Sequence, residues 1–328
     1  MPELPEVTTT VNGLQKVLPK LIITDVWTDL TRKNPIKQFK DTLKDDEFFK
    51  KFKKIVIGAK IKKVERRAKN ILIHLDPIQI DGQAISYTIL IHLKMTGHLL
   101  FGKYTYDKKK NSWSVASEEK NEALKDPYNR FIHVVFSITP PQPSPYKGQG
   151  VKHLAFCDSR KFGKVTLIKT EHLEQSIHLK GVGPEPLEKS FTEKVFLERL
   201  SKNTNKAIKT VLMDQRIVAG IGNIYSDEML WLSSIHPEST FDKIPKKNLS
   251  LLYKSMKEVL EKGIDFGGDS MSDYRNIEGR RGEFQHHHNV YQKKNEVCGK
   301  RGCGGIIERK MVHGRSAHFC PVHQKLYK

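Results

Sequence analysis

Cysteine is scarce in this chain, with four in 328 residues, and three of them, Cys298, Cys303 and Cys320, crowd toward the C-terminal end. That count and placement exclude a disulfide scaffold and favour a reducing compartment. No run of about 18 apolar residues occurs, so no membrane-spanning helix is expected. The opening residues also lack the basic-then-apolar pattern of a secretory leader. Acidic residues are outnumbered, 37 against 57 lysines and arginines, leaving a formal net charge of +20. Such a surplus argues for an anionic partner. Nucleic acid ranks ahead of a membrane surface because no basic amphipathic helix stands out. The competing reading is a solvated basic surface that serves solubility alone. A soluble cytoplasmic protein with no membrane partner is expected.

What is present divides by texture. The chain opens MPELPEV, and Val7, Val11, Leu14, Val17 and Leu18 then recur at helical spacing, so a helix begins inside that stretch. From about residue 21 to 170 the runs are short and β-rich, among them KNILIHL, YTILIHL, RFIHVVFSI, HLAFCD and GKVTLIK. Such strands with few intervening helices predict an antiparallel sandwich or barrel-like layer. Two polar intervals, 104–127 and 139–150, read as surface loops. The segment KGVGPEPLEKS reads as an interdomain linker. Beyond it helices dominate. Ser190 and Glu193 stand at capping-box spacing ahead of VFLERL. Leu249, Leu252, Met256, Val259 and Leu260 form one apolar stripe, which predicts core rather than a cofactor site. The stretch 266–291 is polar, glycine-rich and aperiodic. The domains expected are 1–175, a linker at 176–189, 190–290 and a small module at 291–328.

That last module carries metal-site spacing. Four residues separate Cys298 from Cys303, sixteen more lead to Cys320 and two more to His323. Three thiolates and an imidazole in two close pairs suit tetrahedral zinc, and a filled set of four predicts one structural zinc ion rather than a catalytic one. The alternative is free thiols in a basic tail. The spacer IIERKMVHGRSAHF reads as a hairpin turning at Gly314, with Arg315 at its tip, where a guanidinium can reach phosphate. Upstream, LMDQRIVAGIGNIYSDEML sets a glycine turn between two helices. Gly220 and Gly222 allow backbone shapes closed to other residues. Asn223 opens the second helix, where free N–H groups attract a phosphate, and Lys206 and Lys209 add charge nearby. A plain helix turn is the competing reading of GIGN alone.

Seven stretches in order, PELPEV, ERRAKNILIHL, IHLKMTGHL, CDSRKFG, GPEPL, MDQRIVAGIGNIYSDE and HGRSAHFCPVHQ, resemble the formamidopyrimidine-DNA glycosylase (8-oxoguanine DNA glycosylase) family from residue 2 to residue 324. The resemblance implies an α+β fold: an N-terminal β-sandwich with flanking helices, then a helix–two-turn–helix domain with a zinc-finger hairpin. It implies a bifunctional glycosylase/AP lyase of base excision repair, acting on oxidised purines in double-stranded DNA. Pro2, uncovered by removal of Met1, matches the amine nucleophile, Glu3 the acid/base and Glu6 a second carboxylate. Lys69 and Arg315 match catalytic and phosphate-holding cations, and Asn223 the residue that binds phosphates beside the lesion. Met95, Arg160 and Phe162 match residues that fill the gap left by an everted nucleotide. The stretch 266–291 lies where the family has a mobile lesion-capping loop. The expected protein is a bacterial, nucleoid-associated monomer.

The chemistry suits those assignments. A nucleophilic amine must be unprotonated, and an α-amine titrates near pH 8, closer to neutrality than a lysine side chain. Proline's secondary amine can still form an iminium, an electron sink for strand cleavage. Taken singly, Lys69 reads as a solvated lysine, Met95 and Phe162 as core, His92 as a core or supporting histidine, and His286, His287 and His288 as a solvated loop. The rival readings are an endonuclease VIII-like glycosylase for oxidised pyrimidines and a non-enzymatic damage binder.

Overall fold

β-branched and aromatic residues fill the strands of the N-terminal half, while Leu-, Lys- and Glu-rich runs make the helices that follow. The computed structural model describes residues 1–141 and 150–328, so most of the interval expected as a loop over 139–150 lies outside the described residues. The chain divides into two compact units. The first holds Met1–Pro2, Glu6–Lys180 and Asp269–Gly282, and the second Glu3–Pro5, Gly181–Gly268 and Glu283–Lys328.

In chain order the first unit contains helix α1 (Leu4–Val17, whose first two residues fall in the second unit), β1 (Ile22–Thr28), α2 (Asp46–Val56), β2 (Ile61–Arg67), β3 (Asn70–Leu75), β4 (Ile78–Ile80), β5 (Gln83–Ile85), β6 (Tyr87–His92), β7 (His98–Gly102), β8 (Tyr104–Asp107), β9 (Ser112–Val115), β10 (Ile132–Thr139), β11 (Lys152–Cys157) and β12 (Lys164–Lys169). Two four-stranded antiparallel sheets, β1-β10-β11-β7 and β12-β6-β3-β2, make the expected sandwich. Alternation places Ile71, Ile73, Ile89 and Ile91 of one sheet with Val26, Val134, Phe136 and Leu154 of the other in one buried cluster, which Val7, Val11 and Leu14 of α1 join. The opposite face of the β3-β6 pair puts Leu72 and Leu90 against Leu173 and Leu179. Asp45 caps α2 by accepting the N–H groups of Glu47 and Phe48.

The interval 104–127, expected as a loop, folds instead. Strands β8 and β9 pair as a hairpin whose Tyr106 and Trp113 rings lie tilted against each other with centroids 5.3 Å apart, and short 3₁₀ turns follow. Tyr104, Leu124, Trp113 and Val115 pack on the outer face of the first sheet with Trp27, Leu100 and Val135. Its polar composition hid the two-residue alternation of YTYD and SWSV.

The second unit contains α3 (Glu193–Leu200), α4 (Ile208–Met213), α5 (Asn223–Leu232), α6 (Lys246–Asp265) and the hairpin β13 (Glu308–Val312) and β14 (Arg315–Phe319). The α6 stripe is buried as expected, with Tyr225, Phe196 and Leu230. Two expectations need correction. The cap of α3 is Thr192, whose Oγ1 accepts the Val195 N–H at 3.4 Å, and Ser190 lies too far upstream. The stretch 266–291 belongs to no single domain: Asp269–Gly282 packs within the first unit and the remainder within the second. A linear reading as 190–290 could not see that return.

Replacing Thr192 by Ala should cost about 1 kcal/mol in stability, whereas Ser190→Ala should change it little; denaturant midpoints of the two variants distinguish the caps.

Candidate functional site

In the second unit the glycine turn is built around two carboxylates. Glu3 Oε1 accepts the Ile224 N–H at 3.1 Å, so a carboxylate occupies the first turn of α5, where the helix dipole favours negative charge. Gly222 permits this approach, since a Cβ there would stand 2.2 Å from the Glu3 carboxyl carbon. Gly220, at φ +85, turns its carbonyl to accept the Leu4 N–H at 3.0 Å. Leu4 lies in the same buried cluster as Ile221 and Tyr225. The sequence thus folds its own N-terminal acid onto the helix start that was expected to meet phosphate.

Lys209, expected to add DNA-binding charge, does not. It is 1% exposed and ion-paired with the fully buried Asp227, and its ammonium also donates to Ser226 Oγ at 3.2 Å and the Asn223 carbonyl at 3.4 Å. Burial pushes its pKa down and the Asp227 charge works against that. Asp227 Oδ2 accepts the His318 N–H at 2.9 Å, tying α4 and α5 to strand β14. Asn223 Nδ2 lies 3.4 Å from Ser316 Oγ on that strand. Lys206 and Arg315 remain exposed and line, with Asn203, Thr210 and His313, a cleft of about 230 Å³.

The hairpin turns at His313 and Gly314, both at positive φ, and Arg315 follows directly. Cys298, Cys303, Cys320 and His323 gather their donor atoms within 4.8 Å of one another. Cys303 and Cys320 sulfurs are 3.5 Å apart, and His323 Nδ1 is 3.3 Å from Cys298 Sγ. Thiolates held at about 2.3 Å from zinc in a tetrahedron stand roughly 3.8 Å apart, so the set fits a metal ion. His323 Nε2 faces the Trp231 carbonyl at 3.1 Å, which fixes the proton there and turns Nδ1 to the cluster. Within the wide first pair Gly302 takes positive φ, and Gly304 does so just beyond Cys303. His286, His287 and His288 form no second cluster among the described residues: His287 stacks on Phe266 at 3.7 Å and His288 is buried.

The first unit carries the other expected residues. Pro2 is buried beneath an exposed Met1, and Glu6 is buried with Oε1 accepting the Asp269 N–H at 2.8 Å. Lys69 is also buried, in the two-residue turn between β2 and β3, with Ala68 at φ +53. Met95 and Phe162 are exposed, 39% and 48%, so neither is core. Arg160 lies over the Phe162 ring at 4.8 Å. One buried carboxylate brings their turns together: Asp158 accepts the Thr96 hydroxyl, the Arg160 N–H at 3.3 Å and the Gly163 N–H at 2.6 Å. His92 stays neutral, its pKa pushed to about 3 by burial and by Lys94 and Lys69. Its Nδ1 accepts the Lys94 N–H at 3.0 Å, shaping the turn that presents Met95.

Residues 1–165 match the profile of the formamidopyrimidine-DNA glycosylase N-terminal domain, and residues 182–275 that of the formamidopyrimidine-DNA glycosylase H2TH domain. The chain belongs to the formamidopyrimidine-DNA glycosylase family. A glycosylase of that name from Pelotomaculum thermopropionicum is 33% identical over 99% of this chain and 100% of its own length. Fpg from Lactococcus lactis, solved with DNA containing an abasic site, superposes with a TM-score of 0.75 at 31% identity, covering 98% of this chain and 99% of that one. The same enzyme solved with DNA containing an oxidised pyrimidine gives 0.74 and 31%, over 99% and 100%. No helix among the described residues is long and apolar enough to cross a membrane.

Several residues of this glycosylase fold escaped the sequence reading. Thr96, Asp158 and Asp227 act through buried hydrogen bonds, for which a single sequence has no signature. A cationic patch was also missed. Burial and neighbouring cations push Lys44 down to about 8 and His178 to about 4, with Lys94 and Lys164 among the causes for both. These groups come from distant segments, so no local charge run announced them. Asp158 and Asp41 oppose part of this charge, and the cationic excess that remains suits an anion.

Lys209→Met should destabilise the second unit by about 3–5 kcal/mol, because Asp227 is left buried without its partner. Lys206→Ala should leave the melting temperature unchanged and lower the salt slope of DNA binding by about one. Thermal melts and salt titrations on both variants check the division.

Proposed function

We propose that this chain is a bifunctional DNA glycosylase/AP lyase of base excision repair that releases oxidised purines from duplex DNA. The observation that carries the reading is the Glu3 carboxylate held at the first turn of α5, directly after a buried Pro2. Removal of Met1 would leave Pro2 with a free secondary amine, the nucleophile. Its attack at the anomeric carbon of the damaged nucleotide forms an N–C bond as the glycosidic bond breaks. The electron pair departs with the base, which takes up the amine's proton; the ring C–O bond at the anomeric carbon then breaks to give an iminium as Glu3 protonates the ring oxygen. The iminium draws electrons from the adjacent carbon: loss of a proton there expels the 3′ phosphate, and loss of a second proton two carbons further on expels the 5′ phosphate, completing β,δ-elimination.

In this reading Lys69, Arg315, Asn223 and Lys206 hold phosphates, and Gly222 keeps the Glu3 position open. Met95, Arg160 and Phe162 fill the stack once the target nucleotide is everted. Glu6 is the second carboxylate, with one oxygen already given to Asp269. Lys209 stabilises the turn and takes no phosphate. The cysteine–histidine cluster holds one zinc ion, whose role is to cross-link the hairpin that carries Arg315. A bacterial cytoplasmic monomer acting at the nucleoid fits the charge.

Borohydride added to the mature protein with an 8-oxoguanine duplex should trap a covalent adduct, and a form retaining Met1 should bind the duplex without trapping. Trapping only on an oxidised-pyrimidine duplex would move the substrate class. Absence of trapping on either would leave a non-enzymatic binder. A chelator should release one equivalent of zinc and weaken DNA binding, and added zinc should restore it.

A further inference from the structure

Segment 269–282 runs through the first unit as a strap with three anchors. At its start Asp269 donates its N–H to Glu6, and the Tyr274 hydroxyl donates to the Glu6 carbonyl at 2.9 Å. In its middle the Ile277 carbonyl accepts the Phe101 N–H at 2.8 Å from β7. The third anchor is the folded interval that precedes β10. Arg275, 2% exposed, directs Nε and Nη2 at the two oxygens of Asp126, 3.1 and 3.3 Å away, and lies over Tyr128 at 4.7 Å. Its Nη1 closes back on the Ser272 and Tyr274 carbonyls at 2.9 and 2.8 Å. Asn121 Nδ2 donates to the Glu278 carbonyl at 2.8 Å. Gly279, at φ +82, faces the Ala123 carbonyl so closely that a Cβ would stand 2.5 Å from its oxygen.

The interval is itself braced. Asn129 donates to the Ala123 carbonyl at 3.0 Å and accepts from Nε2 of the buried His98 at 2.9 Å, which ties it to the sheet. Between the Glu6 and Arg275 anchors the strap presents Met271, 42% exposed. There Asp273 accepts the Ser159 hydroxyl at 3.2 Å, next to the turn that carries Arg160 and Phe162. A bidentate ion pair between a buried guanidinium and a partly exposed carboxylate, with every guanidinium nitrogen engaged, has one geometry.

We propose that residues 116–130 are a buttress that fixes the strap in one conformation, and that Arg275 is a positioning residue for release of the damaged base. The role in base release rests on the glycosylase reading above. Under it, the Met271 stretch bears on the everted base, whereas elimination at a site that has already lost its base has nothing for the strap to hold. The buttress therefore acts on one half of the reaction.

The test uses the full mature chain, a duplex with 8-oxoguanine and a duplex with a preformed abasic site, both in single turnover, with amide exchange followed across 269–282. Arg275→Met should slow release of 8-oxoguanine about tenfold, keep abasic-site cleavage within about twofold, and speed exchange in the strap. Arg275→Lys should recover part of the loss. Should Arg275→Met fold poorly, Asp126→Asn, which keeps the shape of a partly exposed partner, reads the same split. An equal fall on both duplexes, or unchanged exchange in the strap, overturns the buttress and leaves the glycosylase reading standing. A wild-type chain inactive on both duplexes overturns the glycosylase reading and the base-release role with it, while exchange still decides whether the clamp exists.

Discussion

The second unit depends on one buried carboxylate. Asp227 has no exposure, yet it neutralises the Lys209 ammonium from α4 and takes a backbone N–H from β14. A buried charge that lost either partner would carry a desolvation cost far above an ordinary hydrogen bond. That penalty makes the arrangement all-or-none: helix, turn and hairpin take their places together. Asn223 and Arg315, which stand on two of those pieces, are positioned by an interaction in which neither takes part. Lys209 also holds the Asn223 carbonyl, so the first residue of α5 is fixed from its backbone as well as its side chain.

The first unit repeats the device with different atoms. Asp158 is 1% exposed and gathers a hydroxyl and two N–H groups from the 94–97 and 158–163 turns. Several donors together with the nearby Lys44 charge satisfy the buried carboxylate. The exposed side chains of Met95, Arg160 and Phe162 can then be displayed without cores of their own. Lys94 and Lys161 take positive φ in these two turns, a conformation that costs energy in non-glycine residues and persists only where neighbours enforce it.

How much of this was legible depended on the range of the interaction. The sandwich strands, the α6 stripe and the hairpin are marked by local period and were read correctly, and the spacing of Cys298, Cys303, Cys320 and His323 marked four side chains that do gather in one cluster. Phe162 and Met95 looked like core when taken singly, and their exposure contradicts that reading. Lys209 was misread because an ion pair with a residue eighteen positions later has no pattern at this spacing. The cap of α3 was placed two residues early because Ser190 and Thr192 both offer a hydroxyl, and backbone dihedrals alone choose between them. The strap was invisible for the plainest reason: its partners lie about 150 to 260 residues upstream, and no periodicity encodes such returns.

The opening acid explains why the glycine turn was half understood. A helix start offers unpaired N–H groups and a positive dipole, and a sequence rich in lysine invites the inference of a bound phosphate there. The chain already supplies an anion: Glu3 sits against the Ile224 N–H, in space kept clear by the missing side chain of Gly222. A phosphate at this turn would have to meet Asn223 through its side chain, because the Ile224 N–H already goes to the carboxylate. Gly222 is then set by the needs of an acid at the start of the chain, more than two hundred residues away, while the Asn223 side chain faces Ser316. Adjacent residues in one short motif answer to different partners, and the motif reads as a single signal only in the linear sequence.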